Sequence, residues 1–402
     1  MRLLRLFAAI PNSNSSRPFA PFAVETKTPM TIGLDVAQTC AERAGCAWHA
    51  DALARALVAA GAPLGHRFEL YHHFGDWINS DTSRGTVIDH PAVTAPLFNT
   101  SPAAAKKFWR DIESGEPLPA KPDVVLSFSY HAPQLHHSKL IYTVHDLAFW
   151  THPDFATDDT RLLCQRELLQ SLSRAAAFLF VSDFTRREFE QLLPGWLEQT
   201  HRPHALSGGA SRFPFADSAS LYTADTPWLI VGSIEPRKNH SGALDAYELY
   251  LERSLQRRPL LLAGGRGWKS DAVHARLEHL TARGVPVRYL GYVPDADLAE
   301  LYRTSFALLA PSWHEGFGLP LVEAMSAGIP VLASDRGSLP EIGIEAARYI
   351  SPDNPEGLAA AMLALEADPA NYARRAQSAL MRAQSFTWPA LAHRILAFVH
   401  SL

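Results

Sequence analysis

Short, mostly apolar runs alternate with longer stretches of helical spacing from Met30 onward. "TIGLDV", "FELYHHF", "VVLSFSY", "LIYTVHD" and "AAFLFVSD" read as strands covered on both faces. "ADALARALVAAG" and "RLLCQRELLQSLSRA" read as helices between them. Such alternation implies a parallel, doubly wound sheet. It then restarts with "WLIVGSI", "LLLAGG", "VRYLGYV", "FALLAPS" and "PVLASD". Two series imply an α/β fold of two Rossmann-like domains facing each other across a cleft.

A chain of 402 residues has room for two such domains. Residues 1–29 read as a flexible extension, because their apolar stretch is short for a targeting segment. The first domain is expected over 30–205, a turn-rich linker over 206–226 and the second domain over 227–385. The last helix, within 386–402, is expected to pack back on the first domain. Residues 75–120 carry Pro, Ser and Asp and resist assignment. Apolar residues make up 47% and charged residues 19%, with a net charge of −4. That balance disfavours a general nucleic-acid surface. No apolar run approaches the roughly 18 residues needed to cross a bilayer. The three cysteines, Cys40, Cys46 and Cys164, have no metal-binding spacing and suit a reducing compartment.

The stretch "SWHEGFGLPLVEAMSAGIPVLASD" reads as strand end, Gly loop, helix and strand. Gly316 and Gly318 let the backbone turn or approach a ligand, and Pro320 suits the first helical position. Glu315 falls on the loop and Glu323 in the first helical turn. A helix N-terminus suits phosphate, whereas carboxylates accept hydrogen bonds from a diol. A ligand with phosphates in its middle and hydroxyls at both ends would use both, and a nucleotide sugar is such a ligand. Glu323 alone reads equally well as a surface residue favoured by the helix dipole.

"VGSIEPRKNHSGAL" places Arg237 and Lys238 past a strand tip, before a helix that Asn239 can cap. Two adjacent cations suit a diphosphate, although a solvated basic pair has the same appearance. "TVHDLAFW" puts His145 and Asp146 at a strand tip facing the cleft. The alternative is a structural histidine, since the chain has 18. "LAGGRGW" lacks the glycine spacing of a dinucleotide site, which counts against a nicotinamide enzyme. Asp295 and Asp297 have the D-x-D spacing of some metal sites, but their position reads as helix capping. His131, His136 and His137 lack the companions of a zinc site.

Together these residues resemble glycosyltransferase family 4, retaining enzymes of the GT-B fold. "EGFGLPLVE" is similar to the family's paired glutamates, and "VGSIEPRKNH" to its phosphate-binding strand tip. "TVHDLAFWTHPD", "VSDFTRREF" and "GSLPEI" resemble further family elements, and the likeness runs over residues 30–400. It implies that Glu315 meets donor-sugar hydroxyls beside the backbone of Gly316, Phe317, Gly318 and Leu319. Glu323 would hold the ribose. Arg237 and Lys238 would neutralise the diphosphate beside Gly232, and His145 would sit at the reacting sugar. The family's paired-glycine loop is matched only by Gly45 of "RAGCAWH", with no second glycine two residues on.

The resemblance also implies a nucleotide-sugar donor, with GDP-mannose the first choice, and neither cofactor nor metal. The acceptor would be a glycan or lipid-linked glycan in bacterial surface polysaccharide or lipopolysaccharide synthesis. The protein would be cytoplasmic, with at most a peripheral contact at the inner membrane face and no nucleic-acid partner. A nucleotide-sugar epimerase, a phosphorylase and a catalytically silent nucleotide-sugar-binding protein are the alternatives.

Overall fold

The computed structural model describes residues 28–40, 45–217, 222–223 and 225–402. Apart from its last two residues, the 1–29 extension lies outside them.

The first sheet holds β1 (Thr31–Asp35), β2 (Arg67–Tyr71), β3 (Val93–Thr94), β4 (Val124–Ser127), β5 (Lys139–Val144), β6 (Ala175–Phe180) and β7 (His204–Leu206). The second holds β8 (Trp228–Val231), β9 (Leu260–Ala263), β10 (Val287–Gly291), β11 (Ala307–Ala310), β12 (Val331–Ser334) and β13 (Ala347–Ile350). Their orders are β3-β2-β1-β4-β5-β6-β7 and β10-β9-β8-β11-β12-β13, with every pairing in the two sheets parallel. The strand order therefore reverses once in each sheet, between β1 and β4 and between β8 and β11. In open α/β sheets ligands bind outside the carboxyl ends at this reversal. The expected α/β fold of two doubly wound domains is the observed one.

Each expected strand ends a few residues early, where the chain leaves the ladder. Sequence reasoning missed β3, β7 and β13, and the helix Pro102–Glu113 inside the unassigned stretch. A two-residue strand has no length in which to show a pattern. The helix is capped by Ser101, whose hydroxyl accepts from the Ala104 amide at 3.3 Å. It buries only Ala105, Trp109 and Ile112.

The expected 206–226 linker is a bound strap over its described part. Leu206 belongs to β7, and the Ala216 amide donates to the Ser326 carbonyl at 2.8 Å. The last helix, Trp388–His400, packs on the first-domain helix Gly45–Gly61. Ala392, Ile395, Leu396 and Val399 join Leu53, Leu57 and Val58 in one core. Burying an Ile, Leu or Val is worth about 1.5–3 kcal/mol, which makes this docking firm.

The domains meet along the helix Asp183–Leu192 of the first. Ser182, its cap, donates to the Gly316 carbonyl at 2.5 Å, as does Thr185 at 3.1 Å. Glu341 of the second domain accepts from the amides of Asp183 and Phe184, both at 2.8 Å. A carboxylate at a helix N-terminus satisfies orphan N–H groups and matches the dipole. Glu188 pairs with His314 at 2.9 Å across the same border, and Trp268 and Lys269 donate to the carbonyls of Phe155 and Asp154.

Two predictions follow from these contacts. Glu341→Ala removes two caps at the border, and lost caps typically cost about 0.5–2 kcal/mol. Small-angle scattering should show a larger radius of gyration, and proteolysis at the border should quicken. Unchanged scattering and proteolysis would mean that Glu341 does not hold the domains together.

The second concerns pH. Burial holds His49, His66, His72, His73, His152 and His240 below their ordinary value, His49 at about 3 and His240 at about 4. The unfolded chain takes up these protons first, so this stability is present above about pH 6.5 and lost as pH falls. His145 and His314 are held above it and act in the opposite sense, but they are fewer. The urea midpoint should therefore drop between pH 7.5 and 5.5. A midpoint that rises would mean that His145 and His314 dominate.

Candidate active site

Arg237 and Lys238 occupy a short 3-10 turn, Pro236–Lys238, just beyond β8. Glu315 lies just beyond β11, so all three stand at the strand-order reversal of the second sheet. The Glu315 carboxylate is 7% exposed and accepts from Lys238 Nζ at 2.5 Å, Ser312 Oγ at 2.8 Å and Arg237 Nη1 at 2.8 Å. Burial alone would raise its pKa. Lys238 and Arg237 overcome this and hold it at about 2, fully ionised near neutrality. Burial likewise opposes the Arg237 charge, and Glu235 and Glu315 hold that guanidinium well above its ordinary value. Glu235 reaches Arg237 Nε at 2.8 Å. Two cations thus face two carboxylates.

Glycines let these groups converge. Gly232 has φ +138, and a Cβ there would stand 3.3 Å from the Lys238 stem. Gly337 has φ +64, and a Cβ would lie 2.7 Å from the Glu315 amide, so the "GSLPEI" turn braces that residue. Gly264 packs its backbone on Gly232, which gives the first "LAGG" glycine a structural purpose. A small recess lies between Lys238, Ser312, Glu315 and Gly318, with Leu308 and Leu339 among its walls. Among the described residues, the amides of Gly316, Phe317 and Gly318 donate to no protein acceptor. The side chains of Phe317 and Leu319 are packing groups, and both press on Gly209 of the strap.

The first domain presents His145 at the tip of β5. A Cβ on Gly316 would lie 1.8 Å from the His145 carbonyl, so the two loops touch backbone to backbone. His145 is buried and its Nε2 donates to the Phe128 carbonyl at 2.6 Å. Burial lowers its pKa, but the neighbouring Cys46, the Phe128 carbonyl and Asp146 together raise it to about 9. His145 is thus a cationic, hydrogen-bonded group beside the Glu315 loop. Gly45 starts its helix at the border, 3.9 Å (from a Cβ) to Leu319. The 41–44 part of that loop lies outside the described residues.

Glu323 belongs to a separate cluster. The helix runs Leu319–Ser326 with Gly318 as cap at φ +90, so Pro320 is its second residue and Glu323 its fifth. Glu323 is therefore in the second turn, not the first, and the dipole explanation for it weakens. It is 2% exposed and accepts from Arg212 Nε at 2.7 Å and Tyr302 Oη at 2.9 Å. Burial raises its pKa against the opposing effect of Arg212.

Asp295 and Asp297 do not cap their helix, Asp295–Arg303. Its cap is Pro294, with no side-chain bond. Asp295 instead accepts from Arg212 Nη1 at 3.1 Å. Asn239 does cap its helix, accepting from the Gly242 amide at 3.2 Å. Among the described residues no group of three or more His, Cys, Asp and Glu is arranged around a metal position.

Sequence reasoning missed Ser312, Glu235, Arg212, Tyr302 and Cys46 as partners in these clusters. Ser312 and Glu235 lie within the motif stretches and were within reach of it. Arg212 sits in "SGGASRF", where no local pattern marks it, and Tyr302 looks like any helix residue of the core.

Known proteins bear on this geometry. The model for Glycosyltransferase Family 4 matches residues 43–196 and that for Glycosyl transferases group 1 matches residues 218–381. Over 271 residues the chain is 35% identical to O-antigen chain mannosyltransferase B of Escherichia coli, covering 65% of this chain and 71% of that protein. Sucrose-phosphate synthase of Thermosynechococcus elongatus has the same fold at a TM-score of 0.68 and 21% identity, over 92% of this chain and 98% of that one. HepE of Anabaena, solved with UDP and glucose, follows at a TM-score of 0.62 and 17% identity, over 93% of this chain and 100% of that one. Among the described residues no helix is long and apolar enough to cross a membrane. With both halves matched and one relative similar over most of its length, the chain belongs to glycosyltransferase family 4 and is a glycosyltransferase.

Proposed function

We propose that this glycosyltransferase moves mannose from GDP-mannose to a glycan or lipid-linked glycan acceptor of a bacterial surface polysaccharide, with retention of configuration and without a metal. The observation that carries this reading is the Arg237–Lys238–Glu315 cluster at the strand-order reversal, beside three amides that donate to no acceptor among the described residues. Mannose is supported by the O-antigen relative, and a nucleoside diphosphate by the HepE complex.

Breaking the glycosidic C–O bond leaves positive charge on the sugar and negative charge on the diphosphate. Arg237 has five N–H donors and Lys238 three, so each keeps donors for phosphate oxygens after pairing with a carboxylate. Preorganised donors aimed at developing charge are the largest single contribution in most such sites. The amides of Gly316–Gly318 add oriented dipoles. Glu315 already takes two bonds on Oε1 and one on Oε2, which leaves a position on Oε2 for one sugar hydroxyl. Glu323 takes the ribose, and His145 stands on the acceptor side of the sugar. In this reading the acceptor hydroxyl attacks on the face the leaving group departs from. Asp295 is engaged by Arg212, which supports a site that works without a D-x-D metal.

Two predictions follow. Mannosyl transfer should survive EDTA undiminished; loss of activity in EDTA with rescue by Mn²⁺ would overturn the metal-free reading. The cations and glutamates should also separate by kinetics. Arg237→Ala or Lys238→Ala should lower turnover by about 10²–10³. Glu315→Gln should lower turnover yet leave GDP binding intact or tighter, because it frees two cations. Glu323→Gln should weaken donor and GDP alike, as uniform binding does. Calorimetric titration of GDP beside donor kinetics gives the answer, and the reverse pattern would exchange the two roles.

A further inference from the structure

Arg212 comes from the strap between the domains, yet it touches the helices carrying Glu323, Asp295 and Trp48. Its Nε donates to Glu323 at 2.7 Å and its Nη1 to Asp295 at 3.1 Å. Its guanidinium lies 4.7 Å from the Trp48 ring of the first-domain helix Gly45–Gly61 and 5.0 Å from the Phe213 ring. The side chain is 17% exposed. A guanidinium held by two carboxylates and two rings has one geometry, unlike a solvated surface pair.

We propose that Arg212 is a positioning residue that orients Glu323 for the ribose and ties that contact to the meeting of the domains. This rests on the reading that Glu323 holds the ribose. Arg212 takes one lone pair of Oε1 and the buried Tyr302 hydroxyl one of Oε2. A carboxylate has about four such positions, so one remains on each oxygen. Two acceptors on adjacent oxygens match the two hydroxyls of a vicinal diol. Without Arg212, Glu323 is a buried acid with Tyr302 as its remaining partner, and burial favours its neutral form. A neutral carboxyl turns one acceptor into a donor, and the diol loses one of its two bonds. The loss is confined to the ribose hydroxyls and spares the phosphates. Trp48 supplies the link to the first domain, because Arg212 keeps its cation–π contact only while that helix stands over the nucleoside end.

The test compares GDP with 2′,3′-dideoxy-GDP by calorimetry, with UDP and its dideoxy form as a second pair. The proteins are the wild type, Arg212→Ala, Arg212→Lys and Glu323→Gln, each checked for an unchanged melting transition. Hydrogen bonds to a charged group imply a wild-type preference for the ribose form of about 10–100-fold. Arg212→Ala should cut that preference at least about threefold, with dideoxy binding unchanged, because one of the two hydroxyl bonds is lost. Arg212→Lys, which keeps the charge but not the fork, should retain part of the preference. A wild-type preference that persists in Arg212→Ala would overturn the proposal and leave Arg212 an interdomain strap. Equal loss for both ligands would overturn it too, since Arg212 would then act on the base, the phosphates or the fold. No preference in the wild type, or a full one in Glu323→Gln, would remove the ribose reading itself and the proposal with it.

Discussion

The His145 carbonyl and the Gly316 backbone stand so close that no side chain fits between them. That contact brings the tip of β5 to the loop after β11, so the carboxyl edges of two separate sheets share one space. The Ser182 and Thr185 hydroxyls reach the Gly316 carbonyl from the first domain, and Glu341 reaches back from the second. Any residue but glycine at 316 would push the domains apart, and with them His145 from Glu315. A cleft enzyme needs its two halves registered to within a fraction of an ångström, and this backbone contact provides that registration.

Charge balance is the second constraint. Glu235 and Glu315, both buried, and the partly buried Arg237 and Lys238 form a group of two carboxylates and two cations. Burying unpaired charge is costly, and pairing keeps the cations in place. In the proposed reading, their spare N–H donors would give an incoming diphosphate partners without reorganisation. The same logic orders the second cluster, where Arg212 answers both Glu323 and Asp295.

Much of this was legible in the sequence because its signals are local. Continuous apolar runs marked parallel strands, restarting alternation marked two domains, and Gly316, Gly318 and Pro320 marked a loop entering a helix. Glu315, Arg237 and Lys238 could be placed together because strand tips in a doubly wound sheet share one edge. Even then, the helix began one residue early, at Leu319, which moved Glu323 into the second turn. The first domain was less legible, since β3 and the helix Pro102–Glu113 are too short or too sparsely apolar to show a period.

By itself the sequence determined the parallel α/β class, the doubling and the residues at strand tips, since each depends on spacing within about a dozen neighbours. Only the tertiary structure decided the partners. Arg212 lies 111 positions from Glu323, and Glu188 lies 126 from His314. Both pairs form because two sheets are folded and then docked, bringing distant carboxylates to cations that local pattern cannot assign. Asp295 shows the difference: its spacing suggested a cap or a metal ligand, but the docked strap gave it Arg212 instead.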